Sequence, residues 1–358
     1  ITQCFILCAK SAMENGEKGG KMVTLEKDTL VFSFPEVHPC AVLRISLQRT
    51  LRIPDDGKMY PLPPGLGGFP LVHVDDFEET VPKSWIKHGG VMLPMYQSEA
   101  LWINFDAAYS SGNNARYQFA VKVATGKVNA VTGKDWRNKL KRSPQDYLVI
   151  PRQPWLDGYC VGKGYIRQFV AMPLGAGYTA EEQVSGEAEH GGLQIAVYPM
   201  KSKVFAQQFQ RKPDDGIRFS TVPHFRETEM GLSPGGKMKQ QIFDDPYKLG
   251  DWDQDVMARC YVHIANSLVW SDITSQRPPT APFTSRQYAK AGLPWFDYYN
   301  DQHKALTGSS ILANLKSIVK MDKKKGNISL PENKSVTTLN VKTLGGKEKT
   351  GEVREGEF

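Results

Sequence analysis

The stretch MPLGAGYTAEEQVSGEAEHGGLQIAVYPMK, Met172 to Lys201, sets carboxylates and a histidine among glycines. Glu187, Glu189 and His190, spaced i, i+2, i+3 in a polar connection, are residue types that hold a divalent cation through oxygen ligands or place an acid beside a base. The competing reading is a solvated turn in which Gly191 and Gly192 open the next strand. Thr179 and Glu182 are accounted for structurally: three residues apart, they form a capping box, the threonine oxygen accepting from first-turn amides while the carboxylate reaches back. Asp157 in PWLDGY suits a turn ahead of Gly158, and Trp155, Asp157 and Tyr178 are the ligand-binding set the sequence suggests.

Aromatic residues supply a further signal. Trp85, Trp102, Trp155, Trp252, Trp270 and Trp295, with the run WFDYY, can stack on sugars or bases, although packing is the commoner use, and a core plug is expected for LPWFDYY. His263, alone on an alternating segment, reads as packed or hydrogen-bonded. The GLGG and LGAG runs neither precede a long helix nor carry the lysine of a phosphate loop. No GxSxG elbow, HExxH or triad spacing occurs. Asn327-Ile328-Ser329 and Asn333-Lys334-Ser335 satisfy the N-glycosylation pattern.

Composition bounds the environment. The five cysteines, Cys4, Cys8, Cys40, Cys160 and Cys260, form no CxxC pair, so neither a zinc knuckle nor a disulfide scaffold is indicated and buried thiols are expected. The net charge of +7 and a pI of about 9.0 permit attraction to nucleic acid without favouring it. The longest apolar run near the middle, YVHIANSLVW, is short of the roughly 20 residues of a membrane-spanning helix. The opening ITQCFILCAK has no basic leader or small-residue cleavage site, and an absent or processed start is expected.

These residues need elements to position them. LRISLQRTLRI alternates, with Leu43, Ile45, Leu47, Leu51 and Ile53 on one side, which predicts a half-buried strand. Tyr117, Phe119, Val121 and Val123 share a face ahead of a hairpin turn at Thr125-Gly126-Lys127. Leu193, Ile195 and Val197 mark another strand, and ARCYVHIAN alternates likewise. SLVWSDITSQ predicts a short helix, TSRQYAKAG a helix capped at Thr284 and ending at Gly292, and SSILANLKSIVKM one helix with Ile311, Leu312, Leu315, Ile318 and Val319 on a stripe. The fold class expected is α+β: a β-rich, antiparallel, sandwich-like body with helices concentrated toward the C-terminus. The divisions are an N-terminal extension over 1–41, a strand-dominated part over 42–201, a connecting loop or insertion over 202–230, an α/β part of the same body over 231–320, and an extended arm over 321–358.

The motifs QRTLRIPDDGKMYPLPPGLGGFPL, GGVMLPMYQSEALWINF, PWLDGYCVGKGYIRQFVAMPLGAGYT, AEHGGLQIAVYPMK and GLPWFDYY resemble a family of uncharacterised proteins of bacteria and filamentous fungi, from about Leu43 to about Leu315. The family carries no established activity, cofactor or catalytic residue, so the resemblance implies none. Some fungal relatives carry a membrane-protein label that this hydropathy does not support.

The function expected is a non-catalytic binding or assembly protein, without a bound cofactor, homo-oligomeric through its terminal arms and of a defence- or toxin-like kind. Its paired sequons favour secretion over the cytoplasm. The alternative is a hydrolase, a phosphodiesterase or nuclease acting on an anionic substrate. Glu187 and Glu189 would hold a divalent cation or poise a water, and His190 would move a proton.

Overall fold

The computed structural model describes residues 22–209, 230–298, 303–338 and 340–344. Within them the chain is a mixed, strand-rich α+β fold built on two large sheets, with most helices in the C-terminal half.

The ten-stranded sheet runs in the order Val23–Glu26, Thr29–Ser33, Val42–Thr50, Ala100–Ala107, Tyr165–Pro173, Met230–Lys239, Met59–Tyr60. Gly65–Gly68, Trp155–Leu156 and Gly158–Gly162 pair beside it. Only the last pairing on the main path, of Met59–Tyr60 with the 230–239 strand, is parallel. The seven-stranded sheet runs Val128–Asn129, Phe119–Thr125, Leu193–Pro199, Ala258–Asn266, Val91–Met95, Val72–His73, with Leu148–Ile150 beside Phe119–Thr125. Its 258–266 and 91–95 strands are parallel. One apolar core joins the sheets: Leu43, Ile45 and Leu47 of the first share it with Phe119, Val121, Ile195 and Val197 of the second.

Period-two patterning placed these inward faces correctly, yet the opposite faces are drier than alternation alone implies. Gln48, Arg49, Thr50 and Arg52 are all buried beside Leu51 and Ile53. Arg49 tolerates this because its Nε donates to Glu99 Oε1 at 2.5 Å and its Nη2 to the Thr280 carbonyl at 3.0 Å. Lys122 in the 119–125 strand is likewise buried, its ammonium donating to the carbonyls of Arg137 and Lys139 and to Asp146. A buried charge persists only when paired and hydrogen-bonded in this way.

The hairpin turn falls at Gly126-Lys127, and Thr284 caps the helix Ser285–Lys290 in a capping box with Gln287. The stripe from Ile311 to Val319 is not one helix but two, Ser310–Asn314 and Ile318–Lys325. The break has a cause: the Lys316 N–H donates to Gln183 Oε1 and the Lys316 carbonyl accepts from Gln183 Nε2, while Asp55 accepts the Val319 N–H and caps the second helix. Side-chain amides of another segment thus replace the i→i−4 ladder. LPWFDYY does send Trp295 fully into the core, but as part of the strand Trp295–Tyr298, paired in parallel with Val341–Leu344.

Three parts of the expected division differ in the structure. The N-terminal extension is already sheet from Val23, and residues 1–21, with Cys4 and Cys8, lie outside the described residues. Of the 202–230 connection, Ser202–Gln208 is helix and 210–229 lies outside the described residues. The described chain after Met321 is docked instead of forming a free arm. Arg52 donates to Asn333 Oδ1 at 2.6 Å, Lys58 donates to Ser335, and the Ser335 hydroxyl donates to Asp56. These partners come from RIPDDGKMY, more than 270 positions earlier, so no local pattern announces them. Residues 345–358 lie outside the described residues. No helix among the described residues is long and apolar enough to cross a membrane.

Candidate functional sites

Two clefts contain Trp155, Glu189 and His190. The first, of about 310 Å³, sits where Trp155, the segment after the 230–239 strand and the Trp295–Tyr298 strand meet. Trp155 and Tyr298 form its aromatic wall, their centroids 4.9 Å apart in an edge-to-face arrangement. Lys239 and Asp297 form an ion pair at 2.8 Å, both partly open to solvent. Beneath lies a floor of locked amides. Gln153 donates to the Trp155 carbonyl and accepts from the Phe243 N–H; Gln240 accepts the Asp157 N–H and donates to Asp157 Oδ2 at 2.7 Å.

Asp157 is therefore not a free ligand-binding carboxylate but a buried anchor of that floor. Burial pushes its carboxyl up from the ordinary 3.8 to about 7, and bonds from the Gln240 and Trp155 side chains pull it partly back. A folded pKa above the unfolded one means the folded state binds more protons between those values, so this group's contribution to stability falls as pH rises from about 4 to 7. Asp157→Asn should remove that slope, leaving the variant about 1–3 kcal/mol more stable than the parent at pH 8 and level with it near pH 4. Denaturant midpoints at the two pH values decide; an unaltered slope would contradict the assignment. Tyr178 does not join this cleft. Its hydroxyl donates to Asp322 and accepts from Asn327, tying down the 318–325 helix.

The second cleft, of about 220 Å³, contains Glu189 and His190 and adds Trp85, His88 and His263. It is built from a helix face and a strand face. Trp85 and His88, three apart on the helix Lys83–His88, pack on His263 and Tyr261, two apart on the 258–266 strand. The rings form a ladder: Trp85 on His263 at 4.6 Å, His263 on Tyr261 at 4.3 Å, Tyr261 on His88 at 4.8 Å, all with small interplanar angles. Gly90 lets the chain leaving this helix approach closely, because a Cβ there, at φ +92°, would lie 2.2 Å from the Tyr261 carbonyl oxygen. Burial drives the His263 pKa down to about 3, and its Nε2 lies 3.1 Å from the Gly89 carbonyl, so it is a neutral, tethered ring, as expected for a packed histidine.

Glu181 organises the other side of the cleft. Almost fully buried, its Oε1 accepts from the N–H groups of Glu189 at 3.1 Å and His190 at 2.9 Å, and its Oε2 from Gly191 at 2.8 Å. His190 Nδ1 lies 2.9 Å from the same Oε1. The Tyr261 hydroxyl donates to the His190 carbonyl at 2.5 Å. Glu189 and His190 are thus brought together, whereas Glu187 is exposed, away from the cleft lining. Thr179 and Glu182 form the expected capping box of the helix Ala180–Val184, which is what turns Glu181 inward. The sequence does not announce Glu181 or His88: the first stands beside Glu182, which has a ready structural explanation, and the second lies about a hundred positions from His190. The i, i+3 pairing of Trp85 with His88 was the available hint. Among the described residues, no three His, Cys, Asp or Glu side chains gather to hold a metal ion. Cys160 and Cys260 are buried free thiols, and Cys40 is a half-buried one.

Comparison with protein-family models, with curated proteins and with solved structures found no match.

Proposed function

We propose that this is a ligand-binding protein that receives a saccharide ring in the Trp155 cleft. The observation that carries the reading is the combination there of an aromatic wall with polar groups on rigid supports. The Trp155 and Tyr298 rings suit the apolar face of a sugar, while Gln241, Lys239 and Asp297 suit its hydroxyls. Concave sites of this kind, a few hundred Å³ with a few convergent polar groups, are the usual form of small-ligand pockets. The hydrogen bonds from Gln153 and Gln240 hold the floor before any ligand arrives, which lowers the ordering cost of binding. The test is a glycan array followed by titration of the best binder, read by tryptophan fluorescence and calorimetry. Trp155→Ala is expected to weaken binding at least tenfold, about 1.4 kcal/mol. Absence of any glycan binder, or equal affinity in the variant, would end this reading.

A further inference from the structure

The second cleft supports a separate chemistry. We propose that His88 and His190 form an acid–base pair that cleaves single-stranded RNA by transesterification, with the 2′-hydroxyl of the substrate as nucleophile.

Three features lead there. First, the two imidazoles both line the cleft with centroids 6.2 Å apart and planes tilted by 31°, so that one can reach the attacking oxygen and the other the leaving oxygen of a single phosphorus. Second, His190 is held at three points, through its N–H and Nδ1 by Glu181 and through its carbonyl by Tyr261, which leaves Nε2 as the working nitrogen. An imidazole oriented by a buried carboxylate on its other nitrogen is the arrangement proton-transfer catalysis requires. Third, the backbone amides that an acyl transfer would want as an oxyanion hole are already engaged, Gly191 N–H by Glu181 and Gly192 N–H by the Met230 carbonyl. RNA brings its own nucleophile and, beyond acid and base, needs only positive charge for the non-bridging oxygens. Lys127 and Lys87 are near enough to His88 to act on its charge.

The roles follow from the neighbours. His190, faced by Glu181, Glu189, Tyr261 and His88, is the proton donor. His88, faced by Lys87, Lys127, His190, Tyr261 and His263, is the proton acceptor. His88 takes the proton of the 2′-hydroxyl, O2′ bonds to phosphorus, the bond from phosphorus to O5′ breaks, and His190 supplies the proton to O5′. The products are a 2′,3′-cyclic phosphate and a free 5′-hydroxyl. Burial first, then Lys127, His190 and Lys87, lowers the His88 pKa below the ordinary 6.5. The acid limb of the rate profile should therefore lie below pH 6.5 and disappear in His88 variants.

The test uses the full chain and a 5′-labelled oligoribonucleotide in the presence of EDTA, with the all-deoxy oligonucleotide beside it. Expected are cleavage of the RNA alone, cyclic phosphate ends by mass spectrometry, and a bell-shaped pH dependence. His190→Ala and His88→Ala, purified in parallel, should each lose at least about a hundredfold, the usual contribution of one acid or base. Circular dichroism of His88→Ala, at a solvent-exposed residue whose ring stacks on Tyr261, separates lost chemistry from lost folding. No cleavage by the parent protein, cleavage of DNA, cleavage abolished by EDTA, or full activity in either histidine variant would overturn the proposal.

Discussion

Glu181→Ala should lower the stability of the protein by about 3–5 kcal/mol, the range seen when one member of a buried charged network is removed. Four contacts converge on this carboxylate, and the N–H of Gly191 is itself buried, so its donor would be left without a partner. Glu181→Gln keeps an oxygen at the Oε1 position, where three of the contacts fall, and turns an amide N–H toward that of Gly191. Its cost should be smaller, about 1–2 kcal/mol. Denaturant unfolding supplies the energies, and amide exchange of residues 189–191 shows whether the segment has been released. Unchanged midpoint and unchanged protection in the alanine variant would mean that Glu181 is not the anchor.

The second large effect is expected at Arg49 and Glu99, both fully withdrawn from water between the strand Val42–Thr50 and the start of Ala100–Ala107. Glu99 also accepts the Tyr96 N–H at 2.9 Å, and burial still pushes its carboxyl up to about 7 with Arg49 beside it. Arg49→Met should cost about 3–5 kcal/mol at pH 8, where an uncompensated carboxylate is stranded. The cost should be smaller at pH 5, because Glu99 then takes up a proton. The double variant Arg49→Met, Glu99→Leu should recover most of the loss, since a well-packed apolar pair is often as stable as a buried ion pair. Unfolding curves for the two variants at both pH values test this. A double variant no better than the single one would show that the arginine's bond to the Thr280 carbonyl, and not the stranded charge, dominates.

The two clefts draw on the sequence in different ways. Trp155 and Asp157 lie two residues apart in one short motif, so their proximity was readable, but that Trp155 lines the cleft while Asp157 is buried beneath it was not. Asp157 is buried against Gln240, a residue with no signal of its own. His190 and Glu189 were readable as chemistry-bearing types in a glycine-rich connection. Their partners Glu181, His88 and Tyr261 come from a capped helix, a separate helix and a central strand.

What the sequence by itself determined are the properties that depend on neighbours a few positions apart. These are the period-two faces that form one core, the capping boxes at Thr179 and Thr284, the turn at Gly126-Lys127, and the α+β class with its late helices. Tertiary structure alone decided which polar residues are dry, where the stripe after Ser309 breaks, how the described chain after Met321 docks, and that His88 and His190 line one cleft. Each of these turns on long-range bonds or ring contacts, among them Glu99 to Arg49, Gln183 to Lys316, Arg52 to Asn333 and His88 to Tyr261. The physical reason is one of range. Backbone propensity and alternation act over one or two turns of chain, whereas the cost of burying a charge or amide is met by whichever partner the completed fold brings within 3 Å, however distant in sequence.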